Sequence, residues 1–326
     1  MLVLLTGGTG MVGSHVAKAL SEAGHSVRCL MRKPEQPGLL EGLHIEPVAG
    51  DVTHADSLAQ AVVGVDAVVH VAGVVSYWKP RAARQWEVNV EGTRTLIEAA
   101  AQAGVRRFVV TSSIAAVGYV ENDDLGDEDT PYNWGPFDIA YCETKRASEK
   151  LVLEDTRIEG VAVNPGIVIG PQDIHMGGGR IVAQVYSGDV PAIPCGATTV
   201  ATANDVAQGH LLALESGQAG RRYILGGHPM SFKQLFGLCA EVLGKKPTGK
   251  VLSPALMTGA AYLMNAWSHV VQKEPRLTPQ LAALSVRNRR YTSQRAISEL
   301  GFSVSNLEDA IDAAARWYVD QGILNP

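Results

Sequence analysis

The patterning of this chain points to a doubly wound, Rossmann-type parallel α/β sheet with a smaller, interleaved C-terminal substrate-binding domain. Short apolar runs alternate with helical patterns through the first half of the sequence. A glycine-rich turn, Thr6-Gly7-Gly8-Thr9-Gly10-Met11-Val12-Gly13, joins the first run to the first helix. After Pro165 the alternation gives way to a stretch rich in glycine and proline: Gly166, Gly170, Pro171 and Gly177-Gly178-Gly179.

Leu2 to Thr6 is a short apolar run suited to a strand buried on both faces, and Ser14 to Leu20 carries apolar residues at helical spacing. In the turn between them Gly7 permits a backbone conformation that other residues resist. Gly10 lets a pyrophosphate approach the chain, and Gly13 allows close helix–strand packing. Thr6, Met11 and Val12 complete this nucleotide cradle, with the helix N-terminus facing the anion. The second strand spans Ser26 to Met31 and ends in Met31-Arg32-Lys33. No acidic side chain stands there to accept hydrogen bonds from an adenosine ribose, whereas Arg32 and Lys33 suit an added 2'-phosphate. NADP(H) is therefore preferred and NAD(H) is the alternative cofactor; the other reading of Arg32 and Lys33 is a solvated loop pair.

Further strands are expected at His44 to Pro47, Ala67 to Val71, Phe108 to Ser112 and Gly160 to Asn164. Helices are expected over Ser57 to Val63, Arg84 to Ala103 and Tyr141 to Asp155. Asn204 to Glu215 reads as a helix returning to the sheet and Arg222 to Leu225 as another strand, so the two domains interleave. The dinucleotide-binding domain is thus residues 1–165 plus roughly 198–226, and the substrate-binding domain residues 166–197 and 227–326. Asn306 followed by Leu307-Glu308-Asp309 and Ala310 to Val319 gives an N-cap, an acidic first turn and a terminal helix.

The 326 residues are 46% hydrophobic and 19% charged with a net charge of −5, so nothing favours a nucleic-acid partner. Cys29, Cys142, Cys195 and Cys239 lie far apart and read as reduced thiols, and the scattered histidines give no metal site. Leu2 opens the first strand directly after the initiator, leaving no room for a signal peptide and implying a cytoplasmic protein. Val251 to Val271 is apolar but holds Ser253, Pro254, Asn265, Ser268 and His269. It reads as an amphipathic helix over a pocket, and no membrane partner is expected. The acidic run Glu121 to Asp129 reads as a solvated loop.

The chemistry concentrates near the middle. Tyr141 and Lys145 are four apart, so a helix places them on one face, and a nearby ammonium stabilises a phenolate that is otherwise formed only near pH 10. Such a pair can exchange a proton at a substrate oxygen while hydride moves at nicotinamide. Thr111-Ser112-Ser113 lies at the carboxyl end of the strand from Phe108, the edge where open parallel sheets bind ligands. Ser113 is chosen to orient the substrate oxygen, with Thr111 or Ser112 supporting the turn. Trp78, after Tyr77, either covers the nicotinamide or substrate or anchors packing, and the same two readings hold for Trp134 and Phe137.

These residues together resemble the extended short-chain dehydrogenases/reductases. The resemblance rests on the glycine string, Gly50-Asp51-Val52, His70-Val71-Ala72-Gly73, Asn89-Val90-Glu91-Gly92-Thr93, Thr111-Ser112-Ser113, Tyr141 to Lys145 and Asn164-Pro165-Gly166, in that order. It spans nearly the whole chain. Asn164 to Pro171 and Arg222-Tyr223-Ile224-Leu225-Gly226-Gly227 look closest to the dihydroflavonol reductase-like branch, which includes hopanoid-associated sugar epimerases.

The resemblance implies that Asp51 and Val52 border the adenine, and that Ala72 and Gly73 lie along the phosphate–ribose side. It places Thr111 in the cofactor site, gives Ser113 and Tyr141 the substrate oxygen, and has Lys145 bind the nicotinamide ribose while lowering the tyrosine's pKa. Asn89 helps the proton relay, the backbone from Pro165 and Gly166 to Ile167 and Val168 meets the carboxamide, and Arg32 faces the 2'-phosphate. A homodimer through the helices containing Arg84 to Ala103 and Tyr141 to Asp155 is also implied.

The chain departs from nucleotide-sugar enzymes at Thr198 to Val206, which lacks their arginine; Arg180 is the candidate substitute. Ser113 is followed by Ile114-Ala115-Ala116 instead of a carboxylate, which disfavours dehydration. The reading is hydride delivery from NADPH to a hydrophobic or aromatic ketone or aldehyde, or the reverse from its alcohol, with Tyr141 as general acid/base. The alternatives are an NAD-dependent nucleotide-sugar epimerase and, last, a non-catalytic dinucleotide sensor.

Overall fold

The structure, a computed structural model, describes residues 1–36, 38–246 and 249–325, with the side chain of residue 269 left aside. The described residues form twelve strands and twelve α-helices. The strands are β1 Leu2–Thr6, β2 Ser26–Met31, β3 Ile45–Ala49, β4 Ala67–His70, β5 Arg107–Thr111 and β6 Glu159–Pro165. They continue as β7 Ile167–Ile169, β8 Ile193–Pro194, β9 Ala197–Thr202, β10 Arg222–Leu225, β11 His228–Ser231 and β12 Val251–Leu252. The helices are α1 Met11–Glu22, α2 Ala55–Ala61, α3 Ala82–Gln85, α4 Gly92–Gln102, α5 Ala140–Glu154 and α6 Gly179–Ser187. After them come α7 Ala203–Ser216, α8 Phe232–Val242, α9 Pro254–Val271, α10 Pro279–Ser285, α11 Gln294–Leu300 and α12 Leu307–Asp320.

Seven strands form one parallel sheet in the order β10-β6-β5-β4-β1-β2-β3. The alternation of a strand explains why its central members are apolar throughout. Val3 and Leu5 face one core with Val16, Leu20 and Leu211, and Leu4 faces the other with Leu58, Leu96 and Phe108. The doubly wound architecture expected from the sequence is therefore present, and strand ends differ from expectation by one or two residues.

Three differences bear on the site. The helix expected over Arg84 to Ala103 is broken: α3 passes through a π-helical segment, Trp86–Glu91, before α4 begins. The extra residue in that turn lets Asn89, which is buried, reach out of the helix to neighbouring chain. Next, β9 joins the second, three-stranded sheet in the order β11-β9-β7, so the return to the first sheet starts at α7 instead of near residue 198. Residues 294–302 also pack back: Ala296, Leu300 and Phe302 join the core beside Tyr223 and Leu225. Finally, Glu128 in the acidic run is buried, accepting from the Ile224 amide at 2.8 Å and pairing with Arg295 at 3.7 Å.

α9 confirms a helix but not the simple amphipathic pattern expected for Val251 to Val271. Met257, Ala261 and Ser268 face inward, while Leu256, Tyr262, Leu263, Trp267 and Val270 on the opposite side are 62–75% exposed. No helix among the described residues is long and apolar enough to cross a membrane.

Candidate active site

The site lies along the C-terminal edge of the seven-stranded sheet, where β1, β4 and β5 end. After β1, Gly7 takes φ 72°, a left-handed conformation, and a Cβ there would lie 2.5 Å from the Ala72 amide nitrogen. Gly13 sits against the same turn, where a Cβ would be 2.1 Å from the Gly7 carbonyl oxygen. Gly10 is different: the nearest atom to its would-be Cβ is the Gly7 oxygen at 3.6 Å, so the space before it is open. Gly10 is also the N-cap of α1 and no side chain caps that helix, so the first-turn amides of Met11 and Val12 face the opening. This cradle fits a dinucleotide pyrophosphate, and no geometry beyond it is needed.

Thr6 ties the cradle to β4 through a chain of hydrogen bonds with one direction. The Ala72 amide donates to the Thr6 hydroxyl at 3.2 Å, and that hydroxyl meets His70 Nδ1 at 2.7 Å. His70 Nε2 meets Thr93 Oγ1 at 3.0 Å, and Thr93 donates to the Asn89 carbonyl at 2.6 Å. Burial lowers the His70 pKa to about 3, with the Lys145 charge adding to it, so the ring is neutral and donates through Nε2. His70 is thus a packed, satisfied histidine.

Arg32 and Lys33 are exposed beyond β2 and pair with no carboxylate among the described residues. Partial burial raises the Asp51 carboxyl, but two Thr53 hydrogen bonds and the charges of Arg84 and Arg32 outweigh it and hold the pKa low. Arg32 therefore stands near Asp51. Val52 is buried against Gly92.

Asn89 is placed at the site but spent. Its Oδ1 accepts from the Val74 amide at 2.7 Å, and its Nδ2 donates to the Val74 carbonyl at 3.0 Å and to Thr144 Oγ1 at 3.2 Å. It clamps the loop after β4 to α5. Lys145, also on α5, donates to the Thr111 carbonyl at 2.8 Å, and its Nζ lies 3.2 Å from where a Gly73 Cβ would be. Burial brings the Lys145 pKa down to about 8 against the charge of Glu149. The Thr111 hydroxyl meets His210 Nε2 at 2.7 Å; His210 is held neutral, with its pKa lowered to about 4 mainly by burial.

Tyr141 is buried with its side chain near Ser113, whose Oγ accepts from the Ala115 amide at 3.1 Å. Burial pushes the Tyr141 pKa up to about 12, against the nearby Ser113 side chain and the charge of Arg289. Lys145 is not among the groups acting on it. The phenol therefore is not primed by its helix neighbour as the Tyr141–Lys145 spacing suggests; the Lys145 ammonium is turned to the end of β5 and to Gly73, and the cation felt by Tyr141 is Arg289.

Trp78 does not pack on Tyr141. The ring that does is Tyr77, edge-on with centroids 5.4 Å apart, and it belongs with Tyr119, Trp134, Phe137 and Leu284 to one cluster around Tyr141. Trp134 is a fully buried anchor whose Nε1 donates to the Val117 carbonyl at 2.8 Å. Arg180 is exposed in the first turn of α6, and no contact brings it to the Tyr141 cluster. Pro165 ends β6, and Gly166, Ile167 and Val168 carry the chain across to the second sheet; a Gly166 Cβ would lie 2.1 Å from the Thr199 carbonyl oxygen.

Sequence reasoning missed Tyr77, Arg289 and two buried groups behind the site. Glu149 accepts from Asn164 Nδ2 at 2.6 Å and pairs with Arg222 at 3.1 Å, and Asn164 Nδ2 also donates to the Ser113 carbonyl at 2.9 Å. That network fixes the backbone of Ser113 from behind. The Asn164 position in Asn164-Pro165-Gly166 was the one available signal for it.

Comparison with known proteins agrees with this architecture. Residues 3–226 match the NAD dependent epimerase/dehydratase family. The chain is 32% identical to "Sterol demethylase protein B" of Methylococcus capsulatus, covering 99% of this chain and 100% of that one. It is 30% identical to a "Putative dihydroflavonol 4-reductase" of Synechocystis, over 98% of this chain and 94% of that one. The crystal structure of a nucleoside-diphosphate-sugar epimerase from Pseudomonas aeruginosa superposes with a TM-score of 0.83 at 26% identity, covering 100% of this chain and 99% of that one. With the cradle, the sheet order and these likenesses in agreement, the chain belongs to the NAD dependent epimerase/dehydratase family, the extended short-chain dehydrogenases/reductases.

Proposed function

We propose that this enzyme is an NADP(H)-dependent reductase that interconverts a ketone or aldehyde on an apolar or aromatic body with the corresponding alcohol. The observation that carries this reading is a buried, neutral Tyr141 phenol near the Ser113 hydroxyl, beyond the carboxyl end of β5. The relative named as a dihydroflavonol reductase supports the reductase direction.

When bound, the nicotinamide cofactor supplies or accepts the hydride. Gly7, Gly10, Gly13 and the first-turn amides of α1 would hold its pyrophosphate, Arg32 and Lys33 its 2'-phosphate, and Lys145 its nicotinamide ribose. Ser113 holds the substrate oxygen beside Tyr141. As that oxygen gains charge it becomes more basic than a phenolate, so the Tyr141 proton moves to it downhill. The raised pKa keeps the phenol protonated at neutral pH, so its proton is present when the oxygen gains charge, and the aromatic cluster of Tyr77, Tyr119, Trp134 and Phe137 excludes water around the transfer.

The direction of the pKa shift makes a testable difference between forward and reverse. Reduction needs the phenol protonated, so its kcat at saturating cofactor stays flat through neutral pH and falls only as the phenol ionises. Alcohol oxidation needs the phenolate, so its kcat rises about tenfold per pH unit over the same range. Identical profiles in the two directions contradict the assignment of Tyr141.

Cofactor choice is tested by titrating NADPH and NADH separately into purified protein and then screening carbonyls with the tighter one. Arg32→Ser is expected to weaken NADPH roughly tenfold to a hundredfold, the loss of a charge-assisted contact, and to leave NADH unchanged. Equal losses for both cofactors contradict a 2'-phosphate role. The epimerase alternative predicts NAD retained through purification and no net absorbance change during turnover.

A further inference from the structure

The segment between α10 and α11 sends its side chains to two sides in strict alternation. Asn288 and Arg290 turn toward the acidic loop: Asn288 Nδ2 donates to the Asn122 and Asp124 carbonyls, and Arg290 pairs with Asp123 at 3.0 Å. Arg287 and Arg289 turn the other way and meet successive carbonyls at the end of α10. Arg287 Nη1 donates to Ala283 at 2.7 Å and Arg289 Nε to Leu284 at 3.1 Å. Among the described residues neither arginine pairs with a carboxylate.

The two cations are not equivalent. The Arg287 guanidinium lies over the Phe137 ring at 3.9 Å and the Tyr119 ring at 5.1 Å, so aromatic faces hold it. Arg289 is only 7% exposed, and no hydrogen bond from its terminal nitrogens is formed among the described residues. Leu284, which holds its Nε, packs in the same cluster as Tyr141 and Tyr77. Its charge is felt by Tyr77, Tyr141, Cys142 and Tyr291, and burial keeps all four protonated at neutral pH. The Arg289 guanidinium thus sits beside neutral groups with no carboxylate paired to it among the described residues, and its terminal nitrogens keep access to solvent, where an anion could meet them.

We propose that Arg289 binds a single carboxylate of the substrate, so that the carbonyl reduced at Tyr141 is that of an apolar oxo acid with its acid group a few bonds from the reacting carbon. Arg287 is already engaged by its rings and the Ala283 carbonyl, which leaves the Arg289 guanidinium, whose fork geometry matches one carboxylate. The aromatic cluster takes the apolar body. This assignment rests on the reductase reading for the carbonyl but not for the acid group, and the test separates the two by reading binding instead of turnover.

The test titrates the full chain, loaded with NADP+, with 3-hydroxydodecanoate and with its methyl ester. Wild type is expected to bind the acid at least about tenfold more tightly than the ester, the value of a charge-assisted pair in a dry site. Arg289→Leu is expected to bring that ratio to about one with ester affinity retained, and Arg289→Lys to restore part of it. Arg290→Leu, whose partner is Asp123, keeps the wild-type ratio. A wild-type ratio near one overturns the proposal even if Arg289→Leu does not fold. A preference that survives in Arg289→Leu overturns it as well, as does Arg289-dependent binding of UDP-glucose with none of the acid. Failure to oxidise NADPH with 3-oxododecanoate while the acid preference holds would instead count against the reductase reading alone.

Discussion

Replacing Tyr141 with Phe is expected to lower turnover by about two to four orders of magnitude, the usual worth of a positioned proton donor. The substitution removes one hydroxyl from a buried ring whose packing against Tyr77 and Leu284 stays intact. Ser113 keeps its hydrogen bond from the Ala115 amide, so the site is not left with a second orphaned group. Stability should therefore change by about 1 kcal/mol or less. Cofactor affinity should stay within about twofold, because Lys145 is held by the Thr111 carbonyl and not by the phenol. Steady-state rates with a cofactor titration check both halves. Turnover within about threefold of wild type would remove Tyr141 from the proton transfer.

A valine at Gly10 and a valine at Gly13 are expected to fail in different ways. Gly10 has φ −93° and ψ 169°, extended backbone open to any residue, and its would-be Cβ clears the nearest atom by 3.6 Å. Gly10→Val should fold with an unchanged melting temperature and lose NADPH affinity by about two orders of magnitude or more, because its methyl groups occupy the space before the α1 amides. Gly13→Val puts a Cβ 2.1 Å from the Gly7 oxygen and 2.7 Å from the Gly8 Cα, both backbone atoms that cannot swing aside. It should cost about 3 kcal/mol or more and destroy the fold before binding is tested. Thermal melts with fluorescence titration separate the cases. Wild-type NADPH affinity in Gly10→Val would contradict the cradle.

Much of this was legible in the sequence wherever the determinant is local. Strands buried on both faces announce themselves as apolar runs, and the turn after β1 is legible because each glycine answers a steric demand within a few residues. The Tyr141–Lys145 spacing correctly put both on one helix. It did not give their electrostatics, because where the Lys145 amine goes depends on the Thr111 carbonyl and Gly73, which come from other parts of the chain. The π-helical turn at Asn89 was hidden for the same reason, since the bonds that hold it reach Val74 and Thr144. Trp78 was favoured over Tyr77 because an irregular loop has no period from which to tell the inward residue. Arg289 carried no local signal at all; it looks like one of several arginines in a basic stretch until the alternation of 287–290 is set against its two neighbours.

Direct observation of hydride transfer tests the central claim: stoichiometric loss of the reduced-nicotinamide absorbance when NADPH deuterated at C4 is mixed with the purified protein and apolar ketones, aldehydes and oxo acids. The account predicts that absorbance falls and that deuterium appears on the carbinol carbon of the product, with both signals suppressed in Tyr141→Phe. Unchanged absorbance with every carbonyl, together with NAD retained through purification and a sugar nucleotide epimerised at no net cost in cofactor, would contradict it.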